Sequence, residues 1–478
     1  MWGLFHSKPA SPAARLSCTG AAVSVTVCVA LWAQGGEPGP FQLGKGVPGP
    51  MARGWLPAGQ VLAAEECSRC HVAEGKKWRG GFRPTAFSNA FVQAEYRLAW
   101  AKAKREGTDD GLPASCVACH SPLQYLQGKV PAPEEPLSAD EGITCDFCHS
   151  TWGFSGEVPG QFNWIVRKGG NRFGPEIQSA LGRPVRFTKS PELCGTCHNE
   201  RGPGGQWVKS VYNEWKESPY SKTGEKGCLD CHKQFTREFV NGMIPRSVEL
   251  RLEPPASPPR PGAELEVSVE LANAAAGHRI PAGSSELRQL WLHVEAVDGA
   301  GRAYPLSVRP KGFEGEEHTI GSDARAYFDL QELAGGQAAG GLPRDGDGIA
   351  PGDRVFRLPM FDRQGRMTAF EWNAYALGTD YRLGPQETVT ERYAFQVPSD
   401  LPPGPLAITA TLRYRRAPPA LWAFLRLPAG ENPEITVGEA RWQGHAGSTA
   451  HAPPSPAGAR KKTLDMGARA GTWENKIP

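Results

Sequence analysis

One pentapeptide pattern, C-x-x-C-H, occurs five times in this chain: CSRCH (Cys67, Cys70, His71), CVACH (Cys116, Cys119, His120), CDFCH (Cys145, Cys148, His149), CGTCH (Cys194, Cys197, His198) and CLDCH (Cys228, Cys231, His232). These segments take all but two of the 12 Cys in 478 residues. Two thiols three positions apart can add to the two vinyl groups on one edge of a haem, and the His that follows then lies under the ring where its imidazole binds iron. The competing uses of paired Cys fit less well. An exported disulfide scaffold has no reason to place His after every second Cys. A thioredoxin-like site occurs once, within a βαβ unit. Zinc takes four ligands, and five pairs at irregular intervals do not combine into such sites. The expectation is five covalently attached c-type haems, with the ten Cys as thioether anchors, the five His as proximal iron ligands, and no disulfide.

All five motifs lie between Cys67 and His232, too short a segment to wrap each haem in its own apolar domain. The haems must supply much of the core and nearly touch, which makes the segment a relay for electrons. Two helices are legible around them. Residues 85–105 place Phe87, Phe91, Ala94 and Leu98 on one helical face, and residues 206–217 place Trp207, Val211 and Trp215 on another before Pro219.

A second axial imidazole for each iron would need five more His. Outside the motifs there are six: His6, His278, His293, His318, His445 and His451. His6 falls in an amino-terminal targeting segment and His445 and His451 in a tail of disordered composition. His278, in the Gly- and Pro-punctuated AAAGHRIPAG, and His318, in EGEEHTIGSD, are the candidate distal ligands; Met243, in VNGMIP, is a candidate through sulfur. His293, in LWLHVEAV, reads as a structural strand residue. The shortfall leaves one or two irons for Met, Lys, water or an open position, where small-molecule chemistry could occur.

Residues 1–15 carry Lys8 and Arg15 and no acid, and residues 16–33 carry no charge, as in a secretory signal or an uncleaved N-terminal anchor. Cys18 and Cys28 belong to that apolar run. Residues 34–64 read as an irregular linker. The expected location is periplasmic or extracellular, with membrane anchoring by the N-terminal segment as the alternative to cleavage. A formal net charge of +3 gives no reason to expect a nucleic-acid partner.

Beyond residue 245 the texture changes. ELEVSVEL (264–271) and PLAITATLRY (405–414) alternate apolar and polar residues, and 246–252, 288–297, 354–360, 367–376 and 387–396 are further candidate strands between Gly, Pro and Asp turns. The organisation expected is multi-domain: a signal or anchor over 1–33, a linker over 34–64, a mostly irregular and α-helical pentahaem cytochrome domain over 65–245, an all-β antiparallel sandwich of immunoglobulin-like type over 246–437, and a disordered tail over 438–478. Residues 331–353 read as a loop insertion in the sandwich.

On these residues the segment 65–245 resembles multihaem c-type cytochromes of the class that includes the tetrahaem cytochrome of ammonia oxidisers, in GITCDFCHS, ELCGTCHN and YNEWKESPYSKTGEKGCLDCHK. The second half resembles the β domain appended to many of them, in AGHRIPAGSSELRQLWLHVEAVDGAGR and in GTDYRLGPQETVTERYAFQVP through LRYRRAP. In relatives the His of the GHRIPAG context often faces a haem, which favours His278. Two departures stand out. The stretch after the first motif, KKWRGGFRPTAFSNAF, lacks the His that relatives carry there, and Lys233 replaces their usual Met after the last motif. Pentahaem nitrite reductases place Lys in one motif, whereas all five motifs here end in His.

The leading expectation is an exported pentahaem cytochrome passing electrons between redox partner proteins, a quinol-linked membrane oxidoreductase on one side and a terminal acceptor or reductase on the other, with no catalytic residue assigned. One alternative is a haem enzyme acting on a small nitrogen or sulfur compound at a five-coordinate iron. The other is a docking subunit of a larger redox assembly.

Overall fold

The computed structural model describes residues 53–56, 61–135, 142–167, 172–224, 226–233, 236–309 and 348–447. The amino-terminal segment with Cys18 and Cys28, His318, most of the 331–353 insertion and everything after 447 lie outside the described residues.

Up to residue 247 the chain is a succession of short helices and two-stranded ribbons. The helices are α1 (Ala64–Cys70), α2 (Val72–Arg79), α3 (Ala90–Glu106), α4 (Gly111–His120), α5 (Pro122–Leu126), α6 (Cys145–Ser150), α7 (Pro191–His198), α8 (Val211–Glu217), α9 (Pro219–Lys222), α10 (Cys228–Cys231) and α11 (Arg237–Ser247). The ribbons pair β1 (Thr151–Phe154) with β2 (Trp164–Val166), β3 (Glu176–Gln178) with β4 (Pro184–Arg186), and β5 (Asn199–Arg201) with β6 (Trp207–Ser210). Only α3 is long. Asn89 caps it, accepting from the N–H groups of Phe91 and Val92, and Gly107 ends it with φ 64°. Phe87 therefore precedes this helix rather than joining its face; it is fully buried, edge-on to Tyr96 at 5.0 Å. The helix expected over 206–217 is half strand: Trp207–Ser210 pairs with the residues that follow the fourth motif, and helix begins only at Val211. The spacing of Trp207 was compatible with either period, and sheet pairing across the chain decided it.

The second half holds two antiparallel sheets. One runs β11 (Ser307–Val308), β15 (Thr388–Gln396), β8 (Glu264–Asn273), β7 (Val248–Leu252); the other runs β10 (Ala303–Pro305), β9 (Gln289–Asp298), β16 (Gly404–Arg415), β17 (Ile435–Ala446), with β12 (Arg354–Phe356) also on β9. The alternation read from sequence is the one that buries: Leu265, Val267, Val269 and Leu271 of β8 share one apolar core with Leu290, Leu292 and Val294 of β9 and Leu406, Ile408, Ala410 and Leu412 of β16.

Two expectations here need correction. Residues 367–376 are not a strand: they hold a 3-10 turn at Glu371–Asn373, and only the short pair β13 (Met360–Phe361) with β14 (Ala376–Leu377) flanks them. The carboxyl boundary also moves. Residues 438–446, expected in a disordered tail, continue β17 and pair with β16 from Gly404 to Leu412. An edge strand that alternates exposed and half-buried positions and carries Gly438 and Gly444 has the composition of a tail, and only its pairing identifies it. At the other end α11 runs directly into β7, with Ile244 packed on the β core, so no linker separates the halves.

The halves are packed together. Ala94 of α3 shares a buried cluster with Leu287, Ala369, Phe370, Leu421 and Trp422, the last two on α12 (Pro419–Phe424). Val208 of β6 joins Met360 and Ala374, and the Gln206 side-chain amide donates to the Ala374 carbonyl at 2.7 Å. The approach is close enough that a Cβ on Gly204 would lie 2.2 Å from the Tyr375 carbonyl oxygen, so only glycine permits it.

Candidate haem-attachment and ligation sites

Every motif sits on a helix or at its end. Cys67 and Cys70 lie on α1 with His71 at its C-cap; Cys116, Cys119 and His120 close α4; Cys145, Cys148 and His149 lie on α6; Cys194, Cys197 and His198 close α7; Cys228 and Cys231 form α10 with His232 at its C-cap. Residues i and i+3 share a helix face, so the three-residue spacing presents both sulfurs of a pair to the same side. The local sequence is fitted to this. Thr144 caps α6 by accepting from the Phe147 N–H, and the first spacer of the fourth motif must be Gly195, because a Cβ there would lie 2.8 Å from the Tyr212 ring.

The helices bring thiols of different motifs together. Cys119 of the second motif and Cys197 of the fourth lie close enough to perturb one another, as do Cys194 of the fourth and Cys228 of the fifth, and Cys67 of the first and Cys145 of the third. The Cys119 and Cys228 thiols are held well above the ordinary value by these partners and by burial. Burial also pushes Cys148 up to about 11, with Cys194 and Cys197 contributing. The fourth motif therefore lies at the centre, near the second, third and fifth, while the first lies near the third.

The imidazoles are oriented for metal binding. His120 donates from Nδ1 to the Ala86 carbonyl at 3.0 Å, and His149 from Nδ1 to the Arg172 carbonyl at 2.9 Å, which in each leaves Nε2 with its lone pair. Burial lowers His120 and His232, and it brings His198 down to about 4, assisted by His232, Lys209, His120 and His278. A ligating imidazole must be neutral, and these are.

His278 makes the same kind of Nδ1 contact. It sits between β8 and β9, its Nδ1 donating to the Arg279 carbonyl at 3.0 Å. Its ring lies 6.3 Å from the His232 ring, the planes 19° apart. Two imidazoles bound on opposite sides of one metal, at about 2 Å each, put their centroids about 6 Å apart, so this pair fits a single iron. The loop that carries it is fixed by both halves of the chain. The Asn273 side chain donates to the His278 carbonyl at 3.0 Å, and the Arg279 N–H donates to Glu214 of α8 at 3.0 Å. Glu214 also takes the Arg382 guanidinium at 2.8 Å, both side chains being buried.

His318 lies outside the described residues. Met243 is half-buried on α11, where its carbonyl accepts from Ser247. His293, on β9, donates from Nδ1 to Asp353 at 2.8 Å with Glu295 at its other nitrogen, as a structural strand His.

A group missed by the sequence reading lies beside the second motif. Lys209 holds Glu200 at 2.6 Å and Glu371 at 2.9 Å. Burial alone would depress its ammonium, and the two carboxylates more than offset this, leaving it well above the ordinary value. Burial and then Glu371 raise Glu286 to about 8 and hold Glu95 well above the carboxylate range. These charges reach His120 and Cys116. Glu95 and Glu200 come from the first half and Glu286 and Glu371 from the second, so no local pattern could have announced the cluster.

The surface fits a flat apolar group at the first and third motifs. Val72, next to His71, and Phe173, next to Arg172, are 63% and 64% exposed, and Leu62, whose N–H donates to Asp146 of α6, is 36% exposed. Exposed apolar side chains next to two motif imidazoles are what haems bound there would cover.

Among known proteins, residues 66–150, which span the first three motifs, match the family model described as cytochrome c554 and c-prime. No curated protein matches. Of solved structures, the chain is similar to a penta-heme cytochrome c552 from Thermochromatium tepidum, at 18% identity and a TM-score of 0.54, over 80% of this chain and 99% of that one. A family 123 glycoside hydrolase from Clostridium perfringens shares 8% identity over 41% of this chain and 27% of its own, at a TM-score of 0.16, a level from which nothing follows. Among the described residues no helix is long and apolar enough to cross a membrane. The motifs, the family match and the shared fold together support a multihaem c-type cytochrome.

Proposed function

We propose that the protein is an exported pentahaem c-type cytochrome that relays electrons between redox partner proteins. The observation that carries this is the closeness of thiols from different motifs, first with third, second with fourth, fourth with fifth. Thiols close enough to perturb one another belong to haems whose edges would lie near each other, the spacing that electron transfer needs. The relay then runs from the first motif through the third to the fourth and branches there to the second and the fifth. Cys67, Cys70, Cys116, Cys119, Cys145, Cys148, Cys194, Cys197, Cys228 and Cys231 hold the haems covalently, and His71, His120, His149, His198 and His232 bind iron on one side. His278 binds on the other side at the fifth. The bound haem supplies the redox couple; the chain fixes spacing, axial ligand and burial, and through them the potentials. Mass spectrometry of the mature protein tests the count: five haem increments support it, and fewer sink it. Location is tested by fractionation, with recovery in the periplasm or medium expected.

A second reading rests on the second motif. Among the described residues, no imidazole faces His120 as His278 faces His232; instead the neighbours are Lys209 and its carboxylates. A haem there would meet an ionisable environment able to bind and protonate a small nitrogen or sulfur compound. A high-spin electron paramagnetic resonance signal that responds to nitrite or hydroxylamine supports this enzyme reading. Five low-spin haems indifferent to both would refute it.

A further inference from the structure

We propose that the cavity between the end of α3 and the β13–β14 hairpin binds a small organic anion, its carboxylate held by Arg105 and Arg363 and its flat remainder lying on Trp372. The cavity has a volume of about 300 Å³ and no motif residue lines it, so it is separate from the haem sites. That volume stands at the small end of ligand pockets, roughly 300–1,000 Å³.

The charges on its wall do not balance. Glu106 is taken by Lys102, one helical turn back. Asp362 is consumed by its own turn: it accepts from the N–H groups of Gln364 and Arg366 at 2.9 and 2.8 Å and pairs with the Arg366 guanidinium at 2.7 Å, and Arg366 with these N–H groups holds it below the usual carboxylate range against its partial burial. Arg105 and Arg363 remain, and among the described residues no carboxylate pairs with either. Both side chains are exposed, so an oxyanion entering the cavity gains from each guanidinium most at low ionic strength. The guanidinium fork matches a planar carboxylate better than a spherical ion.

The aromatic floor narrows the ligand further. Trp372 is stacked on Phe370 at 4.5 Å with planes 4° apart, which fixes its orientation, and Arg363 lies 4.7 Å above the Tyr375 ring, which is 38% exposed. A ring carrying a carboxylate can stack on Trp372 and reach the cations at the same time; acetate or chloride can do only the second.

The test uses the full-length haem-loaded protein and isothermal titration calorimetry at low ionic strength, with benzoate and acetate as probes. One benzoate per chain is expected, at least tenfold tighter than acetate, weakened at least tenfold by Arg363→Gln and by Arg105→Gln separately, with haem spectra unchanged in both variants. Equal affinity for the two anions, or affinity indifferent to both substitutions, overturns the proposal. Binding of polyglutamate without binding of benzoate overturns it in favour of an acidic protein partner.

Discussion

The most direct consequence of the geometry concerns His278. If its imidazole and that of His232 hold one iron between them, as their 6.3 Å separation fits, then His278→Ala removes one axial ligand from one haem of five and leaves the other four untouched. About a fifth of the haem iron should pass from low to high spin. The loop should survive, because it is held by main-chain contacts to Asn273 and Glu214 rather than by the ring, and the loss of stability should stay near the ordinary value for a single substitution, about 1 kcal/mol. Quantitative electron paramagnetic resonance of the oxidised protein reads the fraction. Added imidazole should enter the vacated space and restore the low-spin signal, and His278→Met should keep six-coordination while raising that haem's potential. His293→Ala is the control, since His293 is engaged with Asp353 and should leave the spin count unchanged. Failure of a high-spin fraction to appear in His278→Ala, or its appearance in amounts well above one haem, would refute the pairing.

Other substitutions follow from the same contacts. Arg382→Ala leaves Glu214 buried without its cation, so denaturant unfolding should show a loss of about 3–5 kcal/mol, with partial high-spin character if the His278 loop shifts; full stability would remove the contact from the argument. Lys209→Met strands Glu200 and Glu371 and should cost a similar about 3–5 kcal/mol, part of it recovered in the double variant Lys209→Met/Glu371→Gln, whereas equal stability of the single and double variants would contradict a charge-based cost. Hydrogen bonding to Asp353 raises the His293 pKa above 6.5 despite partial burial, so its contribution to stability is complete below 6.5 and is lost as pH rises through the higher folded value; the melting temperature of the wild type should fall across that window relative to His293→Gln, and parallel profiles would dismiss the pair. Gly195→Val should overpack the Tyr212 ring and cost about 1–3 kcal/mol, with reduced haem loading at the fourth motif as the readout, and normal loading would show that Tyr212 yields.

What could be read from the chain and what could not divide along the range of the interactions. The five motifs are local: three-residue spacing and an adjacent His are complete in a pentapeptide, and each lands on a helix that presents its sulfurs together. The strands of the second half were legible for the same reason, since Leu265, Val267, Val269 and Leu271 need only a period of two to reveal their buried face. Non-local pairing was invisible. Residues 438–446 have the composition of a tail until β16 lies beside them. Trp207 fits a helical stripe until β5 claims it. His278 was suggested by its turn-rich loop and by relatives, but its partner was not, because nothing in the sequence says that residue 232 and residue 278 face each other. Lys209 was passed over altogether: a lysine in a strand carries no signal until carboxylates from two halves of the chain converge on it.

That convergence bears on the role of the β region. As a docking module attached to an independent cytochrome, it would be expected to touch the first half through a polar, separable surface. Its contacts are of another kind. It supplies the imidazole 6.3 Å from that of His232, the carboxylate of Glu371 on Lys209, the apolar wall against which Ala94 of α3 is buried, and the backbone that Gly204 approaches too closely for any side chain. Each lies against residues that neighbour a motif: Lys209 beside His120, Glu214 behind His278, and Ala94 on the helix that leads into α4. Removing residues 246–446 should therefore do more than abolish partner binding. It should free the fifth iron's second axial position, leave Lys209 short of one counter-ion and expose α3, so that the remaining cytochrome segment loads fewer than five haems. A truncated protein that loads all five, with low-spin spectra like those of the full chain, would return the β region to the role of an accessory.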